Sequence, residues 1–278
     1  MKKHLGLMAL LITSVLWPHL QPQSHAIVTR HDTGYSRFLA SESDYPAVFP
    51  LYTSGRQKTC AATLIHPRWA LTAAHCAQET PLQAQLQQGG VYPVRIAGRW
   101  LNVDRLVFHP NWPGVASTTF NPQQIDLALI HLDADASDVT PQPLYSADQE
   151  AGRVLTLLGW GYSGIGRTGL QTSDGRLRFA RNTVVRAGDQ LEIEFDDPAQ
   201  PDSRAVEFEG VPGLGDSGGP ALLETTEGLL LAGIAVGELM DANDPESWRR
   251  SARYGITVVY ERISRHTGWI QQVIAGNF

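Results

Sequence analysis

The apolar residues of this chain come in strand-length runs separated by turns, and that spacing limits the fold more than any other feature. Residues 47–52 read as a first strand, and residues 59–65 alternate small and apolar side chains as a half-buried strand does. Residues 101–108 and 126–132 follow, with Pro- and Asn-rich turns between them. From 133 to 150 the chain is rich in Asp, Ala, Pro and Ser and has no period, so it reads as a crossing between two halves. Residues 154–160, 190–195, 229–236 and 256–260 give further strands. The end differs: Ser264 is placed to cap a helix whose apolar face is Trp269, Ile270, Val273 and Ile274, with Gly276 stopping it. Many short strands and one terminal helix predict an all-β protein built from barrels or a sandwich. The 278 residues suffice for one large domain or two small ones.

The first residues read as a leader. Lys2 and Lys3 precede an uncharged apolar run, residues 5–17, which Pro18 breaks. Ser24 and Ala26 supply small residues at the two positions a signal peptidase reads. The run falls short of the roughly 20 apolar residues of a membrane span. Residues 1–26 are therefore expected to be a cleaved signal peptide, and the protein is expected to be exported, to a periplasm or beyond the cell. Loss of the leader's two lysines takes the net charge of −6 to about −8, with no cluster of Lys and Arg near aromatics, so nucleic acid has no electrostatic footprint. The two cysteines, Cys60 and Cys76, both lie in the remaining part. Export favours their pairing, and neither a metal-ligand spacing nor a Cys-x-x-Cys redox pair is present. No metal or other cofactor is expected.

Three motifs carry chemistry. In Gly215-Asp216-Ser217-Gly218-Gly219-Pro220, glycines flank a serine, letting backbone approach a substrate closely and turn an N–H into a site. The run equally fits the Gly-x-Ser-x-Gly pattern of α/β-hydrolases, or a plain glycine-rich turn. Leu71-Thr72-Ala73-Ala74-His75-Cys76 sets a histidine among small residues, with Cys76 able to pin it through Cys60. Nine histidines occur, so only these neighbours distinguish His75. Asp126 heads the apolar run Leu127-Ala128-Leu129-Ile130, where a carboxylate at the edge of a core needs a partner.

In the chain order His75, Asp126, Ser217, these motifs resemble the chymotrypsin–trypsin family of serine proteases. An α/β-hydrolase runs serine, acid, histidine, and a subtilisin runs acid, histidine, serine. The resemblance extends over nearly all of the chain after residue 26: Cys60-Ala61-Ala62-Thr63-Leu64-Ile65, His109-Pro110-Asn111-Trp112, Gly159-Trp160-Gly161, Val259-Tyr260-Glu261-Arg262-Ile263 and Gly268-Trp269-Ile270 are similar to the family's motifs. It implies two six-stranded antiparallel β-barrels with a C-terminal α-helix, the first over residues 27–139 with His75 and Asp126, the second over 140–278 with Ser217. It implies Ser217 as nucleophile, His75 as base, Asp126 orienting the base, and the backbone N–H groups of Gly215 and Ser217 as oxyanion hole. It also implies that Asp216 pairs with a new N-terminus. Cleavage after Ala26 would expose Ile27-Val28, although Thr29-Arg30 stands where the family has two glycines. The rival expectation is a loose tail, with Arg30, His31 or another group facing Asp216.

Counting back from Ser217 places Val211 at the family's pocket floor, where trypsin-like members carry Asp. Val258 falls where a wall glycine is usual, and Val236-Gly237-Glu238 replaces the Ser-Trp-Gly wall. A small or apolar residue before the scissile bond is expected, with Asp241, Asp244 and Glu246 as the basis of a rival basic-residue pocket. The expected partners are a protein or peptide substrate and, as for other proteases, a protein inhibitor; a monomer, free of membrane once the leader is lost, is expected. Two other classes compete: a binding protein on an inactive protease fold, and a secreted serine esterase.

Overall fold

The computed structural model describes residues 27–55, 57–114, 124–239 and 247–276. The expected leader therefore lies outside the described residues, as do Asp241, Asp244 and Glu246. Strand β1 (Val28–Thr29) opens the described chain. The first half then contributes β2 (Val48–Tyr52), β3 (Lys58–His66), β4 (Trp69–Thr72), β5 (Tyr92–Ile96), β6 (Arg99–Phe108) and β7 (Ala128–Leu132). They form an antiparallel sheet in the order β2-β3-β4-β7-β6-β5, rolled so that β2 lies against β5. Helices α1 (Cys76–Glu79) and α2 (Leu82–Gln87) sit between β4 and β5.

The second half contributes β8 (Val154–Gly159), β9 (Ser163–Ile165), β10 (Gly169–Thr172), β11 (Arg178–Ala187), β12 (Gln190–Glu194), β13 (Gly210–Val211), β14 (Pro220–Thr225), β15 (Gly228–Glu238) and β16 (Thr257–Arg262). Six of these close into an antiparallel barrel, β11-β12-β16-β15-β14-β8. Closure removes unpaired strand edges, so no row of backbone donors is left to solvent. The terminal helix α3 (Thr267–Ile274) completes an all-β architecture of two six-stranded barrels. A small sheet, β10-β9-β1-β13, packs the start of the chain against the second half: β1 runs parallel to β9 and antiparallel to β13.

Alternation explains the interiors. In β5, Tyr92, Val94 and Ile96 point inward while Pro93 and Arg95 face solvent. Leu51, Leu64, Leu71, Val103 and Leu129 fill the first barrel, and Leu155, Leu157, Ile193, Phe195 and Tyr260 fill the second. The long strand β11 departs from the expected pattern. Its inward positions are Arg178, Ala180, Asn182 and Val184, so half of them are polar and the apolar period is hidden. The helix α3 also starts later than expected. A 3-10 turn over Ile263–Arg265 precedes it, and the Ser264 hydroxyl donates to Glu150 instead of capping, while Gly276 ends the helix at φ +80° as expected.

Cys60 on β3 and Cys76 at the head of α1 are joined by a disulfide, 16 residues apart. Closing a loop of this length in the unfolded chain stabilises the fold by about 3 kcal/mol. Replacing both cysteines with alanine should lower the urea-unfolding free energy by about that amount.

Candidate active site

The two ends of adjacent strands in the first barrel deliver the histidine and the aspartate. From β4 the fully buried Ala73 and Ala74 lead to His75 at the N-terminal end of α1. Asp126 stands two residues before β7, the strand that pairs with β4 so that Thr72 faces Ala128. Asp126 Oδ2 lies 2.6 Å from His75 Nδ1, and Asp126 Oδ1 accepts the His75 backbone N–H at 2.9 Å. A carboxylate only accepts, so Nδ1 carries the proton and Nε2 is left as the acceptor. Burial alone would lower the imidazole pKa, but the hydrogen bond and charge of Asp126 outweigh it and hold His75 above its usual value.

Ser217 lies on the turn from β13 to β14, and its backbone carbonyl accepts the N–H of Ala61 at 2.8 Å. Ala61 is next to Cys60, whose disulfide carries the His75 turn, so serine and histidine are anchored to one point of the first barrel. Gly218 has φ +75°, and a side chain there would meet the Ala61 carbonyl and the Thr72 hydroxyl. Gly215 has φ +90°, and among the described residues no acceptor takes the backbone N–H of Gly215 or of Ser217. Unpaired backbone donors beside a serine are groups able to hold a developing negative charge.

Behind the serine, Asp216 is almost wholly buried. Its Oδ1 accepts the Gly161 N–H at 2.6 Å, and its Oδ2 accepts those of Gly213 at 2.8 Å and Ile27 at 3.2 Å. Burial pushes this carboxyl up to about 6, against the opposing effect of the three N–H donors and the charge of Arg178. Ile27 and Val28 are fully buried. The rival partners face elsewhere: Arg30 pairs with Asp32 and the Val206 carbonyl, and His31 bonds the Tyr254 hydroxyl.

Beside Ser217 opens a cavity of about 350 Å³. Leu170, Pro212, Leu214, Ala235 and Val258 give it apolar walls, while Glu238 and Ser251 give it polar ones. Val258 is among the residues lining this cavity. Val211 is not: it is fully buried and paired with Val28 in the small sheet, so counting along the chain misplaces the floor. Val236 is half-buried and packs against the hydrophobic core, and it too is outside the lining. Glu238 Oε1 accepts from the Ser251 hydroxyl at 3.1 Å and the Ala252 N–H at 3.0 Å, and burial holds this carboxyl above its usual range. The contributions of Leu170, on β10, and Ser251 have no local signature, because segments distant in sequence bring them in.

Cys60, His75 and Cys76 offer donor atoms within 4.8 Å of one another, but both sulfurs are spent in the disulfide, so no thiolate is available to a metal. Among the described residues no helix is long and apolar enough to cross a membrane.

Comparisons with known proteins bear on the family and the fold. The family model described as Trypsin matches residues 37–254. A putative peptidase of Corynebacterium glutamicum is 29% identical over 222 residues, covering 76% of this chain and 62% of that protein. Vitamin K-dependent protein C of Oryctolagus cuniculus is 34% identical over 136 residues, covering 45% of this chain and 28% of that one. The chain therefore spans less than two thirds of the length of these relatives. Among solved structures, mouse neuropsin, a serine protease, superposes with a TM-score of 0.61 at 20% identity, covering 85% of this chain and 98% of that one. With a family model matching well over half of its length, the chain belongs to the trypsin family of serine proteases.

Proposed function

We propose that this protein is an exported serine endopeptidase that cleaves protein or peptide substrates through an acyl-enzyme. The observation that carries the reading is the His75–Asp126 pair, anchored to the same disulfide-linked corner as a serine with two unpaired N–H groups beside it. Ser217 Oγ attacks the carbonyl carbon while His75 Nε2 takes its proton. His75 then returns that proton to the leaving amine, and water repeats the sequence to release the acid. Asp126 keeps the imidazole in the required tautomer and stabilises its charged form. The N–H groups of Gly215 and Ser217 hold the oxyanion, each contributing about 3 kcal/mol to the transition state. Nothing in this scheme calls for a metal or a second subunit, and a single chain carries every group, so a monomer suffices. Ser217→Ala should abolish labelling by a fluorophosphonate probe while leaving the melting temperature within a few degrees; labelling equal to the parent would overturn the assignment.

Export and activation are one event in this reading. Removal of residues 1–26 leaves the α-ammonium of Ile27 where its N–H already meets Asp216, and the resulting ion pair keeps the 213–219 turn in shape. The nearness of Ile27 and the engagement of Arg30 and His31 elsewhere support this over a loose tail. Adding one residue before Ile27 to the processed protein should cut kcat/KM at least tenfold; full activity with the extension would rule the ion pair out.

The apolar lining and the branched side chain of Val258 favour a small or apolar residue before the scissile bond. One observation favours a second reading, a basic residue: among the described residues Glu238 is the only acid in the lining, and its Oε2 has no hydrogen-bond partner there. Paired alanine and arginine p-nitrophenyl-type esters separate the two. Preference for the alanine ester, unchanged in Glu238→Gln, supports the first; preference for arginine that Glu238→Gln removes supports the second.

A further inference from the structure

Behind Asp126, on the side away from His75, the second barrel contributes a carboxyl of its own. Glu261 is the penultimate residue of β16 and is fully buried. Its Oε1 accepts the backbone N–H of Asp126 at 3.0 Å and the side-chain amide of Gln190, on β12, at 2.8 Å. Its Oε2 is buried with no hydrogen-bond partner. The nearest polar atom recorded for that oxygen is Nε2 of His266, 3.9 Å away, which is itself buried and unpartnered. Two buried titratable atoms with no hydrogen-bond partner are costly in their charged forms, which favours a neutral state for each.

The surroundings decide those states. Three elements pack titratable groups here. The segment before β7 brings Asp126, with His75 beyond it; the end of β6 is followed by His109; and the turn before α3 brings His266. The rings of His109 and His266 meet edge to face at 5.0 Å, and Trp269 covers His109 from the other side at 4.8 Å. Arg262, the next residue along β16, is held by Glu150 and the carbonyls of Ala187 and Gly188, so no cation from the strand offsets Glu261. Burial and the nearby Asp126 charge raise Glu261 to about 7, although the Asp126 N–H and Gln190 amide oppose the shift. Burial and His109 lower His266 to about 4. Both directions agree with neutral groups at pH 6: a protonated Glu261 carboxyl near a neutral His266 imidazole, with Oε1 free to accept its two donors.

We infer that Glu261 is a positioning residue for the triad, holding Asp126 by its backbone N–H and adding a switchable negative charge behind it. The inference rests on the protease reading above. When Glu261 is neutral it only anchors. When it loses its proton, a second anion stands behind Asp126 and favours the imidazolium form of His75 that develops as Ser217 attacks. Because the carboxyl is raised, the charge is absent below pH 7 and gained as the pH rises through it, so activity gains an alkaline increment beyond that due to His75 itself.

The test is Glu261→Gln, in which Oε1 still accepts both donors and the amide still faces His266. The pH profile of kcat on a peptide ester should match the parent within twofold at pH 6 and fall three- to tenfold below it at pH 8.5, with KM unchanged. Equal profiles at both pH values would overturn the inference and leave Glu261 a plain anchor. A second readout needs no turnover: in the Ser217→Ala protein, the ring NMR signals of His266 should show a step near pH 7 that disappears in the Glu261→Gln, Ser217→Ala double variant. Absence of that step overturns the titration of Glu261 beside His266 directly. If the parent neither turns over esters nor reacts with a fluorophosphonate while the step persists, the failure lies with the protease reading, and the tuning role falls with it.

Discussion

A buried carboxylate held by backbone N–H donors is the constraint on which this structure turns. Asp216 could not be left at the centre of the second half without donors, because an unsatisfied carboxylate in that environment costs several kcal/mol. Its three N–H groups come from the turn after β8, from the segment after β13 and from Ile27. Satisfying one side chain therefore brings three distant parts of the chain together. Space demands the same arrangement: a side chain at Gly159 would collide with the Asp216 carboxyl, and one at Gly161 would meet the backbone of residues 214–216. The glycines around Trp160 are thus required by the aspartate, and the shape of the serine turn follows from both.

Much of this was legible before any coordinate was known, for reasons that differ from residue to residue. His75, Asp126 and Ser217 each stand in a local string whose small residues mark close packing, and their chain order separates one protease class from others. The strand-length runs narrowed the fold to barrels or a sandwich, and the resemblance supplied the two six-stranded barrels. The interior of β11 was hidden because Arg178 and Asn182 point inward, their polar ends paid for by Asp174, the Glu194 carbonyl and the Gly210 carbonyl. Counting to the specificity cavity failed at Val211 because pairing with Val28 draws that residue into a sheet, which no count along the chain reveals. Glu261 was equally invisible in its role: a glutamate near the end of a strand reads as solvated, and only the closure of the barrel puts it behind Asp126.

Polar groups thus organise the contact between the two halves. Apolar packing within each barrel is tolerant of exchange among residues of similar volume. The junction is not, because each carboxyl there has a fixed set of donors. Asp126 is gripped by His75 on one side, while its own N–H binds Glu261 of the second barrel on the other. The aspartate is therefore oriented from both halves at once, which leaves the imidazole little rotational freedom.

The hydrogen bond from the Ala61 N–H to the Ser217 carbonyl has a mechanical meaning. It runs from one barrel to the other through the backbone of the reacting residue itself. A slip of the second barrel against the first stretches this link and shifts Ser217 relative to the disulfide-linked corner that carries His75. One such bond contributes only about 1 kcal/mol, so it steadies the register of the two halves at the serine without locking them together.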